Sequence, residues 1–187
     1  MVPVESPNPM EGVLAQLLER RMVLVAGRLD TQAMTDAAAQ LMLLDATGDE
    51  PIELRLLSED GDLDPALALA DTIDLLGVPL TVIATGVVGG VALAPYCAAD
   101  RRLAHPRARF VFRDPQLCVD GRVESFANAV AGFQQQLGDF HSRLAAACGQ
   151  PVARVAEDMV AGLVLTAEQA LDYGLVQELA TSQRKRD

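Results

Sequence analysis

Residues Leu75–Ala99, LLGVPLTVIATGVVGGVALAPYCAA, contain no charged side chain and decide how this chain folds. A run of this length could suggest a membrane helix, but its glycines and prolines divide it into shorter pieces. We predict a strand buried on both faces over Val78–Ala84, a glycine-bearing turn over Thr85–Gly89 and a small-residue helix over Gly90–Ala99.

The predicted strand, turn and helix resemble the setting of an active site. Backbone N–H groups at a helix N-terminus can stabilise an oxyanion, and many hydrolases carry their nucleophile at such a turn. Here Gly89 and Gly90 occupy the turn, and glycine has no side chain that could attack a substrate. The stretch therefore predicts the shape of an active site without its nucleophile.

Strands and helices are predicted to alternate before this stretch. The predicted strands are Met22–Ala26 and Ile52–Leu57, and the predicted helices run from Asp30 or Thr31 to about Asp45 and from Asp64 to Leu76. The second helix has a strong start signal, because Asp64 can cap it and Pro65 takes its first position. Alternating strands and helices require crossover connections, which predicts an α/β fold with a largely parallel sheet covered by helices.

Beyond the stretch, the chain is predicted to add short strands and one long helix. The strands are expected over Arg101–Ala104 and Phe110–Phe112, and the helix over Val123–Cys148. Apolar side chains recur along one side of this helix: Phe126, Val130, Phe133, Leu137, Phe140 and Leu144. That side packs either on the core of the same chain or on a neighbouring copy of the protein.

The end of the chain carries a helix signal and completes one domain. Thr166 and Gln169 match a capping box, and Leu175–Leu179 is predicted as the closing strand. A chain of 187 residues that is 50% hydrophobic is long enough for one compact domain with an aliphatic core. We predict a flexible N-terminal arm over residues 1–12, a single domain over 13–180 and a polar C-terminal tail over 181–187.

The charge of the chain excludes some classes of partner. A net charge of -11 argues against binding to nucleic acid or to an anionic membrane surface, since both need a basic face. The basic residues Arg184, Lys185 and Arg186 near the C-terminus are too few to reverse that balance. They are interpreted as part of a solvated tail.

The cysteines and the N-terminal residues indicate a compartment. Cys97, Cys118 and Cys148 are odd in number and lack the paired spacing of a zinc site, which suggests a reducing environment. The first residues, MVPVESPNPMEG, have neither the basic start nor the apolar core of a secretory signal. We therefore expect a cytoplasmic protein and no cofactor.

The polar residues offer no complete catalytic set. None of the five serines lies at a strand-to-helix elbow, and Ser58, the nearest, stands beside carboxylates that would oppose a developing anion. His105 in a turn and His141 on the long helix are interpreted as surface or packing residues. An acidic cluster comprises Glu59, Asp60, Asp62 and Asp64. Its spacing differs from that of a calcium-binding loop, which favours a solvated helix N-terminus over a metal site.

Several segments together match one known family. The most specific are Thr166-Ala167-Glu168-Gln169-Ala170 and Tyr173-Gly174-Leu175-Val176; Arg109-Phe110-Val111-Phe112 with Pro115, Leu67-Ala68-Leu69 and Asp71-Thr72-Ile73 agree with them. On these motifs the chain, from about Leu17 to Leu179, resembles the ClpP family, the proteolytic subunits of the Clp protease. The resemblance implies a ClpP/crotonase-type fold with a protruding long helix, and subunits that form stacked seven-membered rings.

The resemblance also implies where a protease would keep its catalytic triad, and this chain departs from the family there. Gly90 stands at the position of the nucleophilic serine, and Arg113 at that of the base histidine. Only the third position, matched to Asp158, keeps its carboxylate. The oxyanion region is matched to Asp60, Gly61 and Val91, so that a carboxylate replaces one of the family's paired glycines.

These departures predict a catalytically silent subunit similar to the ClpR subunits of photosynthetic organisms. Without the serine nucleophile and the histidine base, the chain could not hydrolyse peptide bonds as a serine protease does. The negative charge of Asp60 would also destabilise an oxyanion. Arg113 is predicted to fill the vacated groove by pairing with Asp158, or with the nearby Asp60 or Asp114. Whether the chain is an enzyme at all is thus uncertain from its sequence.

Further departures bear on assembly. The family's arginine and aspartate that link two rings are matched to Ala161 and Gly162, and a glycine-rich strand is shortened at Leu117–Gly121. The partners implied are a ClpP-family paralogue, or copies of the chain itself, in a ring, with a Clp ATPase as a further partner. Two alternatives are a crotonase-type enzyme that holds an acyl thioester oxygen on backbone N–H groups, and a protease with an unrecognised nucleophile.

Overall fold

The structure, a computed structural model, describes residues 9–117 and 123–180, with side chains for 12–117 and 128–180. Its helices are α1 (Pro9–Glu19), α2 (Thr31–Thr47), α3 (Leu63–Asp74), α4 (Leu93–Ala98), α5 (Val123–Cys148), α6 (Val152–Ala161) and α7 (Ala167–Tyr173). Its strands are β1 (Met22–Ala26), β2 (Ile52–Leu57), β3 (Leu80–Ala84), β4 (Val87–Gly89), β5 (Arg101–Ala104), β6 (Arg109–Val111), β7 (Val164–Thr166) and β8 (Glu178–Leu179). A 3₁₀ turn, Gly90–Ala92, joins β4 to α4.

The central sheet is parallel, as the alternation of strands and helices predicts. Five strands lie in the order β1-β2-β3-β5-β8, and every neighbouring pair is parallel. Side chains of β2 and β3 such as Leu54, Leu56 and Val82 are fully buried between the helices and the sheet. Parallel sheets need this cover because their crossover helices lie on the faces. The predicted fold class is therefore confirmed.

A second, smaller sheet was missed by the sequence reasoning. β4, β6 and β7 form a three-stranded sheet in which β4 and β6 are parallel and β6 and β7 are antiparallel. Val87–Gly89 was predicted as part of a turn, but it is a strand. Only β6 was predicted as a strand, over Phe110–Phe112; strands of three residues carry little periodicity, and here their partners lie far away in the sequence.

Several helix ends lie a few residues from their predicted positions. α4 begins at Leu93 rather than at Gly90, and α3 ends at Asp74 rather than at Leu76. α3 begins at Leu63 after Asp62, so the predicted cap Asp64 lies inside its first turn and Pro65 follows. The capping box at Thr166 and Gln169 is confirmed, with both reciprocal hydrogen bonds present. The closing strand is shorter than predicted, because the residues before it bond back to the end of α7.

The long helix α5 has two different halves. Near its C-terminus, Phe140 and Leu144 are fully buried in the core, whereas residues 128–139 are exposed or only half-buried. Phe133 and Leu137 lie against the core but keep part of their surface open. The first half therefore protrudes, and Phe126 on the predicted apolar side lies outside the residues with described side chains.

Other predictions fall partly outside the described ranges. α1 begins at Pro9 and so includes the end of the predicted arm, while residues 1–8, Cys118, the segment 118–122 and the tail 181–187 are not described. Among the residues that are described, the structure contains no helix long and apolar enough to cross a bilayer.

Candidate active site

Three chain segments meet at one edge of the fold and enclose a cleft of about 980 Å³. They are the loop after β2, the turn after β4 and the segment after β6. The carboxyl ends of parallel strands commonly form such a crevice. The lining consists of residues 59–65, 113–117, Arg28, Thr31, Gly90 and Val91, with Ala129, Gly132, Phe133 and Gln136 of α5. The structure thus brings together the predicted positions Asp60, Gly61, Gly90, Val91 and Arg113.

Gly90 lies at the centre of this convergence. Its φ is +52°, in the left-handed region that glycine adopts most easily. A Cβ added at Gly90 would lie 3.3 Å from the carbonyl oxygen of Glu59 and 3.8 Å from that of Arg113. The position has the strained strand-to-helix geometry that hydrolases use for a nucleophile, but it carries no reactive group.

Gly61 is required by close packing. A Cβ there would lie 2.5 Å from the carbonyl oxygen of Leu29 and 2.9 Å from Cγ2 of Val91. Backbone hydrogen bonds from Leu29 N to Asp60 O at 2.9 Å and from Asp62 N to Leu29 O at 3.0 Å hold the two segments together. These contacts hold the loop of residues 60–62 next to the turn that contains Gly90 and Val91.

Arg28 is a residue of the cleft that sequence reasoning missed. Its guanidinium bridges Asp60 Oδ2 at 2.7 Å and Asp62 Oδ1 at 2.5 Å. The charges of Asp62 and Asp60 raise the pKa of Arg28. A signal was present in the sequence, because Arg28 follows β1, and the ends of neighbouring parallel strands meet at one edge of a sheet.

Asp60 is therefore not an isolated negative charge. Besides the ion pair with Arg28, its Oδ1 accepts a hydrogen bond from the backbone N–H of Gly61 at 2.8 Å. Both carboxylate oxygens have a donor, although the side chain is 67% exposed. Ser58 is buried and donates its hydroxyl to the backbone oxygen of Asp60, which leaves that hydroxyl engaged within the loop.

The predicted ion pair of Arg113 is wrong. Arg113 is exposed in the cleft and donates from Nη2 to the backbone oxygen of Glu59 at 3.2 Å. Within residues 12–117 and 128–180, no carboxylate lies within ion-pair distance of its guanidinium. Two of the expected acidic partners contact other groups. Asp158 accepts a hydrogen bond from the hydroxyl of Tyr173 at 2.7 Å, and Asp114 pairs with Nε2 of His141, also at 2.7 Å.

Asp158 lies outside the cleft lining. Its carboxylate accepts the hydroxyl of Tyr173, and Nε of Arg154 lies 3.9 Å away on the same helix. Burial and the bond to Asp158 raise the pKa of Tyr173. The guanidinium of Arg154 also lies over the Tyr173 ring, 5.4 Å from its centroid. These contacts give Asp158 a role in joining α6 to α7.

The register of β6 and β7 indicates which residue faces position 113. Arg109 pairs with Thr166 and Val111 with Val164, and Phe112 N donates to Leu163 O at 2.8 Å. The ladder ends at Val111 and Val164, and extending its register by two residues would bring Arg113 opposite Gly162. Gly162 has φ +69° and ends α6, and it offers no carboxylate.

His141, predicted as a surface or packing residue, is a buried partner of the cleft wall. It lies on α5 at 8% exposure, and its ring nitrogen contacts Asp114, which lines the cleft. This contact fastens the segment after β6 to the base of the long helix. In the acidic cluster, Asp64 accepts a hydrogen bond from Gln136 of the same helix. Among the described residues, no group of His, Cys, Asp and Glu forms a candidate metal site.

Comparison with known proteins agrees with this architecture. The model of the Clp protease family matches residues 7–183. The chain belongs to the Clp protease family. The match covers nearly the whole chain, and it favours this family over the crotonase alternative.

Curated relatives in the Clp protease family span most of the chain. ATP-dependent Clp protease proteolytic subunit 3 of Rhizobium etli is 29% identical over 174 residues, which cover 90% of this chain and 88% of the relative. Subunit 2 of Pseudomonas aeruginosa is 28% identical over 174 residues, covering 90% and 85%. Subunit 1 of Corynebacterium jeikeium is 26% identical over 186 residues, covering 97% and 98%.

Proposed function

We propose that this member of the Clp protease family is a catalytically inactive subunit with a structural or regulatory role in a Clp protease ring. The observation that carries the proposal is Gly90, which occupies the elbow of the cleft with a left-handed backbone and no side chain. Acyl transfer by a serine protease needs a hydroxyl at that place.

The base position supports the same proposal. Arg113 lines the cleft, and a guanidinium offers only N–H donors and no acceptor, so it cannot act as the base that takes a proton from a nucleophile. Gly162, which the extended register of β6 and β7 would bring opposite this position, has no side chain that could orient a base. In this proposal the cleft has the shape of a protease active site but lacks the three side chains of the triad, namely the nucleophile, the base and the carboxylate that orients the base.

The role in assembly follows from the family. The relatives are named proteolytic subunits of an ATP-dependent Clp protease, and we propose that this chain joins a heptameric ring with a ClpP-family paralogue or with copies of itself. The exposed first half of α5 offers a surface for such contacts. In this proposal the chain resembles the ClpR subunits, works beside a Clp ATPase and is cytoplasmic.

The experiment compares the chain alone, the chain with its paralogue, and the paralogue alone. Native mass spectrometry measures the oligomers, and a fluorophosphonate with a fluorogenic peptide measures active serines. We expect mixed or homomeric rings in which only the paralogue is labelled. Stoichiometric labelling of this chain, or a stable monomer both alone and with the paralogue, would contradict the proposal.

A further inference from the structure

A buried histidine contacts a carboxylate of the cleft wall, and the proposed function gives this contact no role. His141 lies on α5 and is 8% exposed, and its Nε2 lies 2.7 Å from Oδ1 of Asp114. Asp114 lines the cleft, and its side chain is 26% exposed. The pair therefore joins the segment after β6 to the long helix at a place that water reaches poorly.

Few other hydrogen bonds hold this segment. Within the described part of the chain, the last backbone hydrogen bond at the end of β6 is donated by Phe112. Beyond it, residues 113–117 bond to the rest of the described chain through the side chains of Arg113 and Asp114. The bond of Arg113 is exposed and 3.2 Å long, whereas the contact of Asp114 reaches a buried ring at 2.7 Å. The position of this part of the cleft wall therefore depends mainly on the contact with His141.

The ring of His141 has a single charged partner among the described residues. Asp114 is the one carboxylate within ion-pair distance of it. Helices α3, α4 and α6 pack against α5, and their charged or titratable side chains are Asp64, Asp71, Asp74, Tyr96, Cys97, Arg154, Glu157 and Asp158. Four of these carboxylates already contact other donors, namely Gln136, Arg143 and Tyr173. On α5 itself, the nearest charged residues in sequence are Asp139 and Arg143.

Protonation of this ring is coupled to its contact with Asp114. A buried imidazolium is unfavourable unless a carboxylate contacts it. The carboxylate in turn is attracted more strongly by the charged ring than by the neutral one, so the proton and the closed contact stabilise each other. Histidine changes its charge between about pH 5 and 8, a range in which carboxylates commonly stay ionised.

We propose that Asp114 and His141 form a proton-operated latch that holds residues 113–117 against α5. At the acidic end of that range the ring carries a proton, and the ion pair fixes the cleft wall. As the pH rises, the ring gives its proton to water and the ion pair becomes the weaker hydrogen bond of a neutral ring. The segment then separates from the helix more often. The latch controls the shape of the cleft and does not depend on whether the chain cleaves peptides.

Release of the segment would change the space beside Gly90. Arg113, Pro115 and Leu117 line one side of the cleft, and Phe133 of α5 lines another. Separation of the segment from the helix would widen the cleft between them. The pH would thus set how much room the cleft offers to a bound chain segment.

Hydrogen–deuterium exchange of the full chain, in the oligomer that it forms, tests the latch. Protection of a peptide that contains residues 113–117 is measured between about pH 5.5 and 8 and corrected for the intrinsic pH dependence of exchange. We expect protection to fall by about fivefold to tenfold across this range, because a hydrogen bond to a charged group gives way to a neutral one. Peptides from β1 and β2 in the core are the reference and should keep their protection.

Three single variants decide the outcome. His141→Gln keeps a polar side chain that cannot titrate, and Asp114→Asn keeps the shape of the partner without its charge; each should make the protection independent of pH. Asp114 is partly exposed, so Asp114→Asn should fold even if His141→Gln does not. The chain has two histidines, and His105→Gln in an exposed turn should leave the pH dependence unchanged. A flat profile in the native protein, a pH dependence that survives Asp114→Asn, or one that disappears in His105→Gln would overturn the proposal.

Discussion

Rebuilding a serine triad in the cleft would test which residue faces the base position. The starting variant combines Gly90→Ser with Arg113→His, and we expect at most weak activity from it. The register of β6 and β7, extended two residues past its last pair, would bring position 113 opposite Gly162, while the Asp158 carboxylate accepts a hydrogen bond from Tyr173. Adding Gly162→Asp should therefore raise activity, because a carboxylate would orient the introduced histidine.

The cost of these changes can be worked from the backbone. A side chain at Gly90, where φ is +52°, costs about 1–3 kcal/mol. Gly162 has φ +69°, where a non-glycine residue costs roughly 1–2 kcal/mol and aspartate is among those that tolerate it best. The sum, about 2–5 kcal/mol, is below the total stability of most domains, about 5–15 kcal/mol, so the variants should fold.

Natural catalytic triads set an upper limit on the activity that Gly162→Asp could restore. Replacing the orienting aspartate there lowers kcat by about 10⁴-fold, and we expect Gly162→Asp to recover part of that factor. The assays are the labelling rate with a fluorophosphonate, followed by intact mass, and hydrolysis of a fluorogenic peptide. Urea unfolding confirms that each variant is folded.

Two matched variants decide the outcome. Gly162→Asn has the same shape and similar backbone tolerance as Gly162→Asp but no charge, so it should leave the activity of the starting variant unchanged. Asp158→Ala in the starting variant should also have no effect on labelling. If Asp158→Ala abolishes labelling while Gly162→Asp adds nothing, the register argument is refuted and Asp158 is the orienting residue.

Three further predictions concern stability. Gly61→Ala should destabilise the chain by about 1–3 kcal/mol in urea unfolding, because the new Cβ has no room. The control is Gly132→Ala on α5, where a Cβ meets open space and should cause no such loss of stability. Equal losses in the two variants would contradict the packing argument. Tyr173→Phe should cost about 1.5–3 kcal/mol at neutral pH through the lost bond to the Asp158 carboxylate. Since the pKa of Tyr173 is raised on folding, its contribution is present below the ordinary tyrosine pKa of 10.0 and lost as pH rises above it. Thermal melts of both proteins across that pH should converge, and parallel curves would rule out this linkage. Arg113→Ala should change stability by less than about 1 kcal/mol, because the exposed guanidinium makes one hydrogen bond to a backbone oxygen; a loss above about 2 kcal/mol would reveal a stronger partner.

The sequence alone determined most of the helices and strands of the central sheet, and the identity of the residue at position 90. β1 and β2 begin and end where their aliphatic residues predict, β5 has its predicted bounds, and α5 spans Val123–Cys148 as its apolar periodicity predicts. These signals are local, since periodicity and capping residues act within a few positions along the chain. The absence of a hydroxyl at Gly90 was equally visible, because it depends on one residue identity.

Only the tertiary structure decided how the charges of the cleft are paired. Arg28 reaches Asp60 and Asp62 across more than thirty residues of sequence, and His141 takes Asp114, which had been predicted as a partner of Arg113. A sequence shows which charged groups exist but not which of them meet, because short-range ion pairs depend on side-chain approach within about 4 Å.

The same limit explains the second sheet and the place of Asp158. β4, β6 and β7 have three residues each, so their existence depends on long-range backbone pairing. That pairing sets the register from which we infer that position 113 lies opposite Gly162, a relation that no local sequence pattern indicates.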